Sequence, residues 1–521
     1  MKILITTSGV GSRLGEMTKY TNKSLIRVGN KFVINYIIDL YKNINNVKFL
    51  VTLGYYGDLV KQYLKLAYPD IKFTYIQIDK YKGEGSSLVY SLLQCKEYVN
   101  DTFIYSCCDT IIDDNLDFNF NENTLFLANK NDSSKYASVI NDKTYINKIN
   151  NKGAKIFNNV YIGVAYIKEY KAFFDCLEVI YNKNRLNKQL SDINVYQLMM
   201  ERNFKFKYKV IEKYFDMGSI DTYKESCDYF KSDFNVLIKY EESISFMKDK
   251  VVKFFYSKSK NKSRVARSKI LESIVPKING ITDNFYSMNL IKSKPLSEIY
   301  DGNIIYKLLN WAKANLWKKI DNSDGFKDIC MKFYKDKSYN RINLGLENKT
   351  VKDYNIINGI RIGSIHDLLE KVDFDYLSDS EPTHFHGDFI LDNILYENNE
   401  KFVLIDWREN FGGDLERGDV YYDLGKLRHN IFFNHKNIEN KLFSINEIDS
   451  EKVEVDMKTN FFLINQLNDY DKFVRENNYD LRKIKIINSL IWLNMSPLHE
   501  YPLSNFLFNL GKYNLYLNLE D

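Results

Sequence analysis

A chain of 521 residues, 45% of them apolar, exceeds what one hydrophobic core normally organises, so two or more domains are expected. Its 73 basic and 68 acidic residues leave a net charge of +5, too thin a field on a molecule of this size to favour nucleic acid or an anionic membrane. Six cysteines form no CxxC pair and no zinc spacing with histidine, and no apolar run approaches the roughly 20 residues of a membrane helix, so the expectation is a cytoplasmic protein with reduced thiols, no nucleic-acid partner and no membrane insertion.

The chain opens on KILITT, an apolar run that breaks at residues 6–15 into TTSGVGSRLG. FVINYIIDLYKNI then has helical spacing, VKFLVTLG reads as a strand, DLVKQYLKLA as a helix, IKFTYIQI as a strand, SLVYSLLQCKEYV as a helix and TFIYSC as a strand. Strands that are apolar almost throughout suit a sheet covered on both faces, which predicts an α/β, Rossmann-like domain with a mostly parallel sheet over residues 1–232. Beyond DTYKESCDYFKSDFNVL the texture changes: residues 243–275 read as two strands around a polar turn followed by a basic helix, and the tail from about Glu439 as a succession of amphipathic helices rich in aromatic residues. A second domain is therefore expected over 233–521.

Three kinds of phosphate loop compete for SGVGSRLG. A Walker loop needs a lysine directly after its last glycine, and none is there. The dinucleotide fingerprint needs GxGxxG and a carboxylate closing the second strand; Gly9, Gly11 and Gly15 are spaced one residue too long, and VTLGYYG carries no carboxylate. What remains is a loop in which Gly9 and Gly11 admit backbone N–H groups to a triphosphate while Arg13 and Lys23 add positive charge. On these residues the sequence resembles the sugar-phosphate nucleotidyltransferase family, whose signature is GxG[TS]R followed by a lysine in a Pro-Lys pair. Gly9, Gly11, Ser12, Arg13 and Lys23 match; Asn22 replaces the first proline and Phe32 a second.

Further matches follow in order: a small-residue turn at Gly85, Ser86 and Ser87, a strand closing on Asp109, the strand VYIGVAYI with Gly163, and YFDMGS with Asp216. The resemblance implies nucleotide binding by Gly9, Gly11, Ser12, Gly85 and Ser86, acceptor binding at Gly163, Mg2+ ligation by Asp109 and Asp216, and catalytic roles for Arg13 and Lys23. The acceptor phosphate would attack the α-phosphorus of a nucleoside triphosphate and pyrophosphate would leave; the acceptor is already an anion, so no general base is needed. Taken alone, the glycines also suit a strand-to-helix turn, Asp109 a helix N-cap and Asp216 a turn.

Later in the chain, THFHGDFILDNILYENNEKFVLIDWRE places Asp388 and Asn393 at fixed spacing before a hydrophobic strand that ends in Asp406. This is the arrangement of a kinase site, in which Asp388 orients and deprotonates a hydroxyl while Asn393 and Asp406 hold Mg2+ against ATP phosphates. It resembles the aminoglycoside phosphotransferase and choline kinase family, with IDWRE in place of DFG and a continuation GDVYYDLGKL carrying Asp419 and Asp423. The resemblance covers about residues 240–430 and implies an α+β, bilobal, protein-kinase-like domain with a small lobe over about 236–296 and a large helical lobe over about 297–521. It further implies that Lys253 pairs with ATP phosphates and that Glu272 is its ion-pair partner. His384 and His386 read as structural, and the aromatic tail as a helical core, with a cation-binding aromatic box as the other reading.

Together the two resemblances imply a bifunctional enzyme. One half phosphorylates a small hydroxylated metabolite with ATP; the other couples that phosphate to a nucleoside monophosphate from an NTP, giving an NDP-activated sugar for surface polysaccharide synthesis. Choline or another amino alcohol is the alternative acceptor, and a catalytically silent kinase-like regulatory module the alternative of another class. Expected partners are small molecules, and a homo-oligomer is compatible with the sequence.

Overall fold

The computed structural model describes residues 1–232, 239–299, 301–398, 400–459 and 461–520. By packing, the chain forms two compact units: Met1–Asn261 with Ile278–Leu290, and Lys262–Lys277 with Ile291–Asp521. The expected boundary after residue 232 and the start of the small lobe at 236 abut or fall in residues 233–238, outside the described residues.

The first unit is built on a nine-stranded sheet. Its centre is parallel: strand Lys2–Thr6 lies between Lys48–Leu53 and Phe103–Cys107, and Phe73–Gln77 adds beyond Lys48–Leu53. Beyond Phe103–Cys107 the sheet continues antiparallel through Asn159–Ile167. Alternation sends successive side chains to opposite faces, so Ile3, Ile5, Phe49 and Val51 join one core with helices Val33–Tyr41 and Gly57–Ala67, while Leu4, Leu50 and Tyr105 join another with helices Tyr170–Lys183 and Asp192–Glu201. Both faces being dry explains the continuous apolar runs.

A separate antiparallel ribbon pairs Thr110–Ile112 with Tyr214–Asp216, setting Asp216 opposite Thr110. The Met217 N–H donates to the Asp109 carbonyl at 2.7 Å, so this ribbon brings together two carboxylates more than a hundred residues apart. They meet just past the carboxyl end of the parallel centre, where α/β sheets of this kind place their ligands.

A four-stranded antiparallel sheet, in order Glu242–Phe246, Lys250–Phe255, Phe285–Asn289 and Ile278–Ile281, also belongs to the first unit. Val252, Phe254 and Phe285 enter the same core as Ile3 and Val51. Tyr63 donates to Ser245 at 2.9 Å, and Lys250 donates to the Leu66 carbonyl at 2.8 Å, fixing the sheet to helix Gly57–Ala67. Packing therefore groups with the first unit the strands that the sequence reading placed in the small lobe. Division by compactness and division by descent need not coincide.

The second unit is mainly helical. Helix Val420–Phe432 packs on Leu481–Met495, which packs on Leu503–Glu520. Contact is close enough that a Cβ on Gly425 would stand 2.9 Å from Ile487. The expected all-helical tail needs correction: Phe443–Glu447 and Lys452–Met457 form an antiparallel hairpin. Val453 and Val455 are buried while Glu454 and Asp456 face solvent, the two-residue alternation of a half-buried strand. Among the described residues no helix is long and apolar enough to cross a membrane, and all six cysteines are free thiols.

Candidate active sites

In the first unit, strand Lys2–Thr6 delivers the glycine loop. Gly11 is left-handed at φ 70°, and a Cβ there would approach Lys23 Cβ at 3.2 Å and Thr18 at 3.1 Å. Gly9 has open space around it. Asn22, which departs from the family pattern, is fully buried: its amide donates to the carbonyls of Thr7 (2.8 Å) and Tyr55 (2.6 Å), and its oxygen accepts from the Ser24 N–H at 2.9 Å. Hydrogen bonds supply the rigidity that proline would give by its ring, and they hold Lys23 in place.

Lys23 is buried and its ammonium pairs with the Asp109 carboxylate. Burial alone would raise Asp109, but the charge and hydrogen bond of Lys23, with smaller help from Cys107 and Arg13, hold it down at about 2. Burial would likewise lower Lys23, and Asp109 reverses the sign. Asp216 is pushed up, first by burial and then by the Asp109 charge; it accepts from the Gly218 N–H at 2.8 Å and from the Tyr136 hydroxyl at 3.2 Å. Two mutually repelling carboxylates beside one ammonium fit a divalent cation, which would leave positions open to phosphate oxygens and water. Among the described residues no cluster of three or more acidic, histidine or cysteine ligands occurs, so neither site is a closed protein cage.

Arg13 and Ser12 are exposed on this loop. Ser8 Oγ lies 3.3 Å from Ser91 Oγ, which sets the loop beside helix Leu88–Leu93. Gly85 takes φ 79° ahead of that helix, and Ser86 Oγ donates to the Gly83 carbonyl at 2.7 Å. Gly163 sits at φ 81° where the register of strand Asn159–Ile167 shifts, and a Cβ would fall 2.3 Å from Cys107 Sγ. Close packing on Cys107 is thus a sufficient reason for this glycine. The Cys107 and Cys108 thiols are both pushed up by burial, Cys108 to about 12, and are chemically quiet.

In the second unit the catalytic-loop segment is clamped from several sides. Asp423 accepts from the N–H groups of His386 and Gly387, both at 2.7 Å, and from Trp317 Nε1 at 3.1 Å. His386 Nδ1 faces the Asp388 N–H at 3.3 Å and its Nε2 lies 3.0 Å from the Ile405 carbonyl, so the ring joins Asp388 to the strand that precedes Asp406. Burial lowers His386 to about 4; the neutral ring is a structural link. Arg267, fully buried, donates to the Leu415 carbonyl at 2.9 Å and to the carbonyls of Phe385 and Arg408, and its guanidinium lies over the Phe385 ring at 3.7 Å.

Within that frame Asp388 pairs with Lys426 at 2.8 Å, and Asn393 donates to the Asp388 carbonyl (3.0 Å) and carboxylate (3.1 Å). Burial would raise Asp388, but Lys426 depresses it far below the usual carboxylate range. Asp406 stands at φ 57°, a strained position for a residue with a side chain, and pairs with Arg264 at 2.8 Å. Asp388, Asn393 and Asp406 therefore converge as the motif spacing suggests. Lys426, Arg264 and Arg267 were missed in the sequence. Asp419, Asp423 and Lys426 fall at i, i+4 and i+7, one face of helix Val420–Phe432, and that spacing was the available signal. Lys253 lies buried in strand Lys250–Phe255 of the first unit; Glu272 belongs to the second and is exposed just past helix Lys258–Ile270.

Residues 361–438 match the phosphotransferase enzyme family. The N-terminal region matches nucleotidyltransferases in sequence: it is 24% identical over 116 residues to UTP--glucose-1-phosphate uridylyltransferase AglF of Haloferax volcanii, covering 22% of this chain and 46% of that protein. It is 25% identical over 276 residues to CTP:phosphoglutamine cytidylyltransferase of Campylobacter jejuni, covering 46% of this chain and all of that protein. The chain thus spans about half the length of the first relative and the whole of the second. Among solved structures, CTP:phosphocholine cytidylyltransferase from Streptococcus pneumoniae aligns with a TM-score of 0.39 and 20% identity, over 44% of this chain and 99% of that one.

Proposed function

We propose that this chain is a bifunctional enzyme: the phosphotransferase half phosphorylates a small hydroxylated metabolite with ATP, and the nucleotidyltransferase half joins that phosphate to CMP from CTP. The observation that carries the reading is a pair of separate sites, each with a buried lysine on a carboxylate, Lys23 on Asp109 and Lys426 on Asp388. Cytidine is favoured because the relative matched over its whole length uses CTP. The product is an activated building block for a surface polymer, made in the cytoplasm; NDP-sugar and CDP-amino-alcohol chemistry both fit this scheme.

In the transferase site Arg13 and Lys23 draw negative charge off the leaving pyrophosphate and the attacked phosphoryl group, Gly9, Gly11, Ser12, Gly85 and Ser86 take the nucleotide, and Gly163 faces the acceptor. In the kinase site Asp388 aligns the acceptor hydroxyl and takes its proton, while Lys426 keeps that carboxylate ionised. Asp109 and Asp216 in one site, and Asn393 and Asp406 in the other, would hold Mg2+, which would neutralise phosphate oxygens. The test is to incubate the intact protein with each triphosphate, Mg2+ and a metabolite library while following pyrophosphate and ADP separately. CTP-dependent pyrophosphate and acceptor-dependent ADP are expected; pyrophosphate without ADP from any acceptor would leave the second half a regulatory module.

A further inference from the structure

A cavity of about 250 Å³ in the second unit is lined by Lys332, Phe333, Lys337, Arg408, Asn410, Gly412 and Gly413. Three basic side chains line it and no carboxylate does. Lys332 and Lys337 flank a π-helical turn, where the Lys337 N–H bonds back to the Lys332 carbonyl; such widened turns recur at functional sites. The Lys337 ammonium lies 3.9 Å from the Phe333 ring centroid and the Arg408 guanidinium 5.2 Å, so one aromatic face orients both. Among the described residues Lys332, Lys337 and Arg408 form no salt bridge, and the buried Arg408 Nε has no hydrogen-bond partner. Glu409, itself 3.4 Å from Arg264, offsets the charges of Arg408, Arg341 and Lys426 at Lys337 by less than any of them contributes.

The cavity adjoins the catalytic loop. Arg408 follows Asp406 by two residues, its N–H donates to the His386 carbonyl at 2.9 Å, and a Cβ on Gly387 would stand 2.6 Å from Arg408 Cβ. Burial and the charges of Arg408, Arg341 and Lys426 all push Lys337 down, so an incoming anion would supply the counter-charge the site lacks and favour the protonated ammonium.

Resting on the kinase reading above, we propose that the phosphorylated acceptor carries its own anionic group, a carboxylate or a phosphate, which binds Lys332, Lys337 and Arg408. The acceptor oxygen attacks the γ-phosphorus, the bond to ADP breaks, and the hydroxyl proton passes to Asp388 and on to water. A trimethylammonium acceptor such as choline would meet basic side chains with no lining carboxylate to offset them, and this assignment excludes it.

The intact protein is tested with ATP, Mg2+ and a metabolite extract separated on a strong anion exchanger at about pH 11, where ammonium groups have largely lost their proton and a zwitterion is retained as an anion. ADP formation is expected with the retained fraction; turnover supported by the unretained fraction alone overturns the proposal. Alkaline phosphatase treatment of the retained fraction separates the two sources, since a phosphate monoester loses its effect and a carboxylate keeps it. Lys337→Met should raise the acceptor KM tenfold or more and leave the ATP KM unchanged, with pyrophosphate formation by the other half confirming a folded chain; a rise in the ATP KM instead overturns the assignment. If no fraction yields ADP, the kinase reading fails, and calorimetric titration with glycerol 3-phosphate and with glycerate decides this proposal separately. Saturable binding lost in Lys337→Met supports the anion site, and no binding of either anion in the wild type overturns it.

Discussion

Lys23→Met tests whether the lysine and Asp109 act as one electrostatic unit. Methionine keeps most of the volume and removes the charge. In the folded chain Asp109 is held at about 2 against an ordinary 3.8, against the upward push of burial and mainly by Lys23, and its side chain is 23% exposed, so solvent screens the pair little. At 1.36 kcal/mol per tenfold change in proton affinity, the net depression is worth about 2 kcal/mol, and the coupling to Lys23, which also overcomes burial, is at least that large. Because the folded carboxylate is depressed, its contribution is fully present above the ordinary carboxylate range and is lost as pH falls through about 2. The assay is a double-mutant cycle with Asp109→Asn, read by hydrogen exchange of peptides spanning Lys2–Thr6 and Phe103–Cys107 in the intact chain, which needs no two-state unfolding. A coupling of at least about 2 kcal/mol is expected, unchanged between pH 7 and about pH 5. Singles that add to the double within about 0.5 kcal/mol would refute the pairing.

The two activities should separate cleanly: Asp388→Asn is expected to cut ADP formation by about a hundredfold or more while sparing pyrophosphate release, and Asp109→Asn to do the reverse, both measured on one preparation. Loss of both activities from either change, in a chain with unaltered circular dichroism, would contradict independent sites. Gly163→Ala places a methyl 2.3 Å from Cys107 Sγ at φ 81°, so the melting temperature should fall in step with a loss of about 1 to 3 kcal/mol, and Cys107→Ala in the same chain should recover part of it. Asp192 is buried and its carboxyl is pushed up to about 6 by that burial, against the Tyr161 hydroxyl at 2.8 Å. A raised carboxylate favours the fold at low pH and costs stability as pH rises through 6, so Asp192→Asn should raise the melting temperature at pH 7 and leave it unchanged near pH 4.

The parallel centre of the first unit was legible because burial on both faces forces unbroken apolar runs, and Ile3, Leu4 and Ile5 leave no polar residue to suggest otherwise. Hairpin 443–457 was hidden by the aromatic composition around it, although Val453, Glu454, Val455 and Asp456 alternate in the way a strand requires. The packing of strands 242–289 was not legible. It depends on contacts such as Tyr63 to Ser245 and Leu66 to Lys250, between residues whose sequence neighbourhoods carry no sign of each other.

Site carboxylates were legible for a different reason: ligand chemistry dictates their type and motif spacing dictates their place. Their partners follow a weaker constraint, since any cation that reaches will serve: Arg264 comes from a helix that carries no motif, and Lys426 from a motif continuation in which only its carboxylates stood out. Yet these partners decide the resting state. A buried charge without a counter-charge loses its ionisation or destabilises the fold, so Asp109 holds Lys23, and the buried Arg264 holds the more exposed Asp406. On the proposed reading, nucleotide arriving with a divalent ion would bring a second cation to each carboxylate and an anion to each basic group, and the free energy that holds Lys23 on Asp109 and Arg264 on Asp406 would be set against substrate binding.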